Sequence, residues 1–273
     1  MHDGERVTIP TMPLLGQGTW RMGEDAACRS AEVRALQLGI DLGMTLIDTA
    51  EMYGDAESVV GEAIAGRRDE VFLVSKVLPS NASRQGTLRA ADQSLAKLGT
   101  DCMDLYLLHW EGSHPLEDTF AAFQDLQQQG KIRAYGVSNF DVTAMRAACA
   151  TPGGDGVVAN QILYNLTRRG PEPEIIPECS AAGVTVMAYS PLEQARMDFG
   201  GVLASIARRH DRTPAQIAIA WTLRLPGIVS IPKATHEDHV RENAAAAAIE
   251  LTEQDLDELD TTFPVRGPRL EYL

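Results

Sequence analysis

Apolar residues along this chain follow two alternating rhythms. Short runs rich in Val, Ile and Leu recur at 14–18, 45–50, 71–76, 103–109, 134–139, 157–161, 184–190 and 228–233. Between them, apolar residues return every three or four positions around 29–42, 57–66, 85–98, 116–129, 141–150, 172–182, 213–225 and 237–247, the spacing of amphipathic helices. Continuous apolar strands separated by helices predict a parallel sheet with covered faces. Eight strand–helix pairs in 273 residues match an α/β fold of the (β/α)8 TIM-barrel kind, a single domain over 1–273. The competing doubly wound sheet usually shows GxGxxG after its first strand. Here Gly16-Gln17-Gly18-Thr19-Trp20-Arg21 lacks the third glycine, so the barrel is the expected fold. Thr213-Pro214 reads as a helix start. Gly39, Gly43, Gly99, Gly130 and Gly183 fall just after, or in the last turn of, helical patterns. The segment 191–203 is too long for a tight turn and is a candidate functional loop.

Composition narrows the setting. At 44% hydrophobic and 23% charged, the chain can build a sizeable core without staples. Cys28, Cys102, Cys149 and Cys179 are scattered with no CxxC pattern, which speaks against zinc, any other metal site and a disulfide framework. Dispersed thiols suit a reducing cytoplasm. The start, MHDGERVTIPTM, has no apolar core of the kind a signal peptide needs, and no run approaches the roughly 18 apolar residues of a membrane span. A net charge of −14 disfavours nucleic acid and anionic membrane surfaces as partners. A small ligand held by a few local donors remains compatible with it.

The strand ends carry the candidate chemistry, because a (β/α)8 barrel builds its site at their C-terminal ends. The second strand ends at Asp48 with Tyr53 on the loop beyond. The others end at Lys76, His109, Ser138-Asn139, Gln161, Tyr189-Ser190 and Lys233. Taken singly, Asp48 could cap a turn, Lys76 could end a strand in solvent, His109 could be a satisfied rim residue and Tyr53 could be packing. Together they make a proton-transfer device. A lysine ammonium beside a phenol is expected to favour the phenolate and lower its pKa, an aspartate would keep that ammonium charged, and a neutral imidazole would hold a substrate oxygen. Such a set can protonate a carbonyl oxygen while a hydride reaches its carbon. No side chain donates hydride, so a nicotinamide cofactor is implied.

The chain resembles the aldo-keto reductases over nearly its whole length. The likeness is carried by LGQGTW, GMTLIDTAEMYG, VFLVSK, LGTDCMDLYLLHW, GKIRAYGVSNF, NQILYN, VMAYSPL and IPKATHEDHVREN, in their proper order and spacing. The resemblance implies a catalytic tetrad of Asp48, Tyr53, Lys76 and His109, with Tyr53 as general acid in carbonyl reduction. It implies NADPH lying across the barrel mouth, among Gly18, Thr19, Trp20 and Asp48. Ser138, Asn139 and Gln161 would hold the nicotinamide carboxamide, and Tyr189 would stack on its ring. Ser190 and Leu192 would cover the pyrophosphate. Lys233 and Thr235 would meet the adenosine 2′-phosphate, with His239, Glu242 and Asn243 around the adenine.

That last segment departs from the family's habit. Ala234 follows the lysine where a hydroxyl residue is common, and His239 stands where an arginine often does. A histidine is a weaker and only partly charged donor, so use of NADH beside NADPH stays open. Trp20 and Trp110, with Tyr53 and His109, are the expected walls of a pocket for a small carbonyl substrate. The short tail FPVRGPRLEYL suggests an open site and broad activity on small aldehydes, methylglyoxal-like 2-oxoaldehydes among them. Arg21 and the loop Pro79–Gln85 are further candidates. Two other readings remain: a catalytically weak NADP(H)-binding regulatory protein on the same barrel, and a barrel aldolase or isomerase using Lys76 as a Schiff base. A cytoplasmic monomer or weak homodimer is expected.

Overall fold

The structure, a computed structural model, describes residues 12–273; residues 1–11, where most of the MHDGERVTIPTM stretch falls, lie outside it. Eight parallel strands pair in chain order: β1 (Gly16–Gly18), β2 (Leu46–Asp48), β3 (Phe72–Val77), β4 (Met103–Leu108), β5 (Ile132–Ser138), β6 (Val157–Leu163), β7 (Thr185–Tyr189) and β8 (Ile228–Ile231). A parallel bridge between Leu15 and Ser230 and the hydrogen bond from Gly18 N to Pro232 O, at 3.0 Å, bring β8 back to β1. The expected (β/α)8 barrel is the observed fold.

Side chains alternate along each strand, and the two parities go to two different cores. Leu46, Phe72, Val74, Leu105, Leu107, Ala134, Ala159, Met187, Val229 and Ile231 fill the barrel interior. The opposite parity, for example Ile47, Leu73, Tyr106, Val137 and Val186, packs outward into the larger layer beneath the helices. Following the inward parity towards the C-terminal ends leads from Leu46 to Asp48, from Val74 to Lys76 and from Leu107 to His109. It leads likewise from Ala134 to Ser138, from Ala159 to Gln161, from Met187 to Tyr189 and from Ile231 to Lys233. The interior turns from aliphatic to polar at one end only.

The helices are α1 (Arg29–Asp41), α2 (Ala56–Ile64), α3 (Arg84–Leu98), α4 (Leu116–Gln128), α5 (Val142–Ala150), α6 (Ile175–Ala181), α7 (Gly201–His210), α8 (Pro214–Thr222), α9 (Glu237–Ala246) and α10 (Glu253–Thr262). Thr213 does start α8, in a capping box with Gln216. Gly43, Gly99, Gly130 and Gly183 follow helices with φ from 63° to 89°. Gly39 lies in the last turn of α1, where a Cβ would fall 2.0 Å from Gln17 Oε1, so close packing on the barrel requires the glycine there. β6 also runs past Gln161 to Leu163, and α7 begins inside the segment expected to be loop. Among the described residues no helix is long and apolar enough to cross a membrane.

α10 has no apolar stripe strong enough to announce it, and a buried acid ties it down. Asp255 is 1% exposed and closes a capping box with Thr252. It also accepts from Arg209 Nη2 at 2.5 Å and lies 2.7 Å from His210 Nε2, both on α7. Burial pushes the Asp255 carboxyl up, but Arg209, His210 and Thr252 outweigh it and hold it below its ordinary 3.8. A lowered carboxyl stabilises the fold above that ordinary value and loses the contribution as pH falls below it. Replacing Asp255 by Ala is therefore expected to cost roughly 2–4 kcal/mol, read as a lower denaturation midpoint at pH 7. The gap between variant and wild type should shrink as the pH is taken below about 4; a gap that stays constant would refute the ion-pair account.

Candidate active site

The polar end of the barrel opens into a cleft of about 1490 Å³. Gly18, Thr19, Trp20, Asp48, Tyr53, His109, Trp110, Ser138, Asn139 and Gln161 line it. So do Tyr189, Ser190, Leu192, Lys233, Thr235, His239, Glu242 and Asn243. Of the expected site residues, Lys76 alone is not on the wall, because it lies directly beneath it and is fully buried.

Lys76 is the hub. Its ammonium donates to Asp48 Oδ2 at 2.8 Å, to Thr49 O at 2.9 Å and to the Tyr53 hydroxyl at 3.3 Å. An ammonium has three donors, and all are used. The other carboxylate oxygen of Asp48 accepts from Gln161 Nε2 at 2.7 Å, across the barrel. The buried ion pair is thus hydrogen-bonded on both sides, the condition under which burying two charges is tolerable. Burial pulls the lysine's pKa down, yet Asp48 and Tyr53 prevail and hold it above its ordinary value. Lys76 is charged, which removes the free amine that a Schiff-base mechanism needs.

Tyr53 corrects one expectation. Its pKa stands above 10, not below: loss of water around the hydroxyl raises it, Lys76 lowers it by less, and Asp48 adds to the rise. The aspartate that keeps Lys76 charged also cancels much of the field that Lys76 applies to the phenol. Trp20 packs edge-on against the Tyr53 ring, centroids 4.9 Å apart, and His109 meets the same ring at 5.7 Å. His109 is 8% exposed; burial first, and the Lys76 charge second, push its pKa down to about 3. Its Nδ1 is buried with no hydrogen-bond partner, leaving Nε2 as the nitrogen open to the cleft.

Beyond this group a second network joins β5, β6 and β7. Ser138 Oγ donates to Gln161 O at 2.8 Å, and Asn139, at φ 61°, donates Nδ2 to His109 O at 3.1 Å. Tyr189 OH donates to Asn139 Oδ1 at 3.0 Å. At the far end, Lys233 stands exposed on the cleft wall and makes no ion pair among the described residues; loss of water around it pulls its pKa below its ordinary value.

Several cleft residues escaped the sequence. Met52, Glu111, Tyr272 and Leu273 line it without being among the expected site residues, whereas Phe199 lies in the 191–203 segment expected to be a functional loop, which reaches the cleft through Leu192, Gln194, Ala195 and Phe199. The tail, read as leaving the site open, returns to it through Tyr272 and Leu273. Arg21 does reach the cleft. The loop Pro79–Gln85 does not, because Glu51 holds Leu78 N and accepts from Asn81 Nδ2 at 3.1 Å, tucking it beside β3.

The chain matches the aldo/keto reductase family over residues 14–262. It belongs to that family. A methylglyoxal reductase of Escherichia coli (strain K12) is 49% identical over 93% of this chain and 92% of its own length. A glyoxal reductase of Bacillus subtilis (strain 168) is 34% identical over 91% and 88% respectively. Among solved structures, an aldo/keto reductase from Klebsiella pneumoniae in complex with NADP and acetate superposes with a TM-score of 0.94 at 46% identity, covering 96% of both chains. As an aldo/keto reductase the protein is an oxidoreductase acting on carbonyls with NADPH, so the reading as a catalytically weak regulatory protein is not favoured.

The state of His109 can be measured directly. Its ring resonances should not titrate between pH 5 and 8, because the imidazole is already neutral there; a midpoint near 6.5 would contradict the burial account.

Proposed function

We propose that the protein reduces small aldehydes, methylglyoxal and related 2-oxoaldehydes foremost, with Asp48, Tyr53, Lys76 and His109 as the catalytic set. The observation that carries this is the fully used Lys76 ammonium, which ties Asp48 to the Tyr53 hydroxyl beneath the open cleft. The substrate class is supported by the methylglyoxal and glyoxal reductase activities for which the Escherichia coli and Bacillus subtilis relatives are named and by a cleft end walled with Trp20, Tyr53, His109 and Trp110. We further infer a single-domain cytoplasmic protein acting as a monomer or weak homodimer.

The residues present fit NADPH. Lys233, exposed on the cleft wall without a carboxylate partner among the described residues, suits the 2′-phosphate, with Thr235 and His239 beside it. Ser138, Asn139 and Gln161 offer amide and hydroxyl groups that match a carboxamide, and Tyr189 offers a ring for stacking. Gly18, Thr19, Trp20, Ser190, Leu192, Glu242 and Asn243 line the space between and around them. When bound, the cofactor supplies the hydride that no side chain can.

The protein's part is the proton. Tyr53 stays a phenol at neutral pH because its pKa is raised, so a proton is always available for the carbonyl oxygen. As that proton leaves, the Lys76 ammonium 3.3 Å away stabilises the forming phenolate. We assign the His109 proton to Nε2, which puts a donor towards the substrate oxygen and leaves only the bare Nδ1 buried. Asp48 keeps Lys76 charged and in position throughout.

Three measurements test this. Tyr53→Phe should lower methylglyoxal reduction by on the order of 10²-fold or more while NADPH fluorescence titration shows binding retained; turnover at the wild-type rate would sink the assignment. In wild type, reduction should persist through neutral pH and fall only as pH rises past about 10, because a raised phenol is lost as an acid only above its raised value. Lys233→Met should shift the NADPH/NADH preference by about tenfold or more towards NADH, read from kcat/KM with each cofactor. An unchanged ratio would place 2′-phosphate recognition elsewhere.

A further inference from the structure

The turn after β7 takes an unfavourable backbone around a buried carboxylate that proton transfer does not use. Ser190, Glu193, Gln194 and Ala195 have φ of 50°, 52°, 53° and 62°. Non-glycine residues hold that region only where their surroundings over-determine them. Here the surroundings are a single network. Glu193 is 6% exposed; its carboxylate accepts from Asn165 Nδ2 at 2.8 Å and from Arg168 Nε and Nη2 at 3.0 and 2.7 Å. Asn165 also donates to Ser190 O at 2.9 Å, so both ends of the turn hang on the segment that follows β6.

Arg168 then reaches a third part of the chain. Its Nη1 donates to Glu271 Oε2 at 3.0 Å, and the next two residues, Tyr272 and Leu273, line the cleft. The Tyr272 hydroxyl donates to Asn139 O at 3.5 Å, at the end of β5. Ser190, Leu192, Gln194 and Ala195 line the cleft as well. One planar guanidinium therefore bridges the β7 turn and the tail. A lysine could not do this, because a point charge lacks the fork that grips two carboxylates in fixed directions.

We propose that Arg168 is a positioning residue that sets the β7 turn for NADPH through Glu193 and sets the tail at the substrate end of the cleft through Glu271. The inference rests on the reading of Ser190 and Leu192 as cofactor contacts. Its physical basis is the buried Glu193 carboxylate. Without the guanidinium it is left with Asn165 alone, and the turn relaxes to hydrate it. NADPH must then select the minority of molecules with the turn in place, and its apparent affinity falls by that fraction. Loss of Glu271 leaves the Arg168–Glu193 pair intact and frees only the tail.

Full-length Arg168→Met, Arg168→Lys and Glu271→Gln separate the two arms. NADPH affinity and release are followed by fluorescence without aldehyde, hydrogen exchange of residues 190–195 without NADPH, and methylglyoxal kinetics last. Arg168→Met should weaken NADPH about tenfold or more, chiefly through faster release, and should speed exchange of the turn. Arg168→Lys, which can meet the Glu193 charge but cannot grip both carboxylates, should recover only part of that affinity and leave the tail free. Glu271→Gln should leave NADPH affinity within about twofold and raise the KM for methylglyoxal with kcat little changed. If Arg168→Met does not fold, Glu193→Gln reports on the same arm, since its amide must turn a donor towards Asn165 Nδ2 or Arg168, and weaker NADPH binding is again expected. Unchanged NADPH affinity and turn exchange in Arg168→Met, or in Glu193→Gln if that variant stands in, would overturn the proposal, as would a Glu271→Gln variant that loosens NADPH as much as Arg168→Met. A wild type that binds NADPH but reduces no aldehyde would refute the substrate reading, while the binding and exchange data still decide the role of Arg168 in the turn.

Discussion

A lysine buried in the interior of a barrel must find a partner for every one of its protons, and Lys76 finds Asp48, Thr49 and Tyr53. Removing either member of such a pair leaves an uncompensated buried charge, at a cost of about 3–5 kcal/mol. The surrounding chain is organised to keep the pair whole. Gln161 crosses the barrel to the second oxygen of Asp48. The loop that carries Tyr53 is stitched to β3 by Thr49 N to Val74 O at 2.9 Å and by Glu51 N to Lys76 O at 3.2 Å. The phenol is thus anchored through the same residue that stabilises its anion.

Dryness at this end of the cleft acts oppositely on the two neutral groups, and both effects serve carbonyl reduction. Burial raises the phenol and lowers the imidazole, because in each case it penalises the charged form. Tyr53 therefore keeps its proton and His109 stays neutral, while the single charge that survives, on Lys76, is balanced by Asp48. At the other end Lys233 has no ion-pair partner among the described residues. In a chain of net charge −14, an unpaired cation on the cleft wall favours a small anionic ligand there.

Much of the barrel was legible because its signals are local. Each of the eight apolar runs overlaps a strand, with β3, β5 and β6 running beyond theirs, and the polar residues that close the runs, Asp48, Lys76, His109, Ser138, Gln161, Tyr189 and Lys233, fall on the inward parity. What escaped were elements held by partners elsewhere in the chain. α10 is polar around most of its surface and owes its docking to Asp255 meeting Arg209 and His210. α7 begins at the second glycine of the Gly200-Gly201 pair, inside a segment that reads as loop. Gly39 stands in the last turn of α1 as expected, but its need to be glycine shows only once Gln17 is brought against it.

The sequence by itself therefore determined the strand–helix order, the inward-facing parity and the residue types that reach the barrel mouth, since all depend on neighbours a few positions apart. Only the tertiary structure decided how those groups are shared. Gln161 and Asp48 are 113 residues apart, and Arg168 and Glu271 are 103 apart, so no local pattern encodes either contact. The direction of the Tyr53 pKa belongs to the same class. It depends on the balance of lost water against two opposing charges, and that balance exists only once the barrel has closed around them.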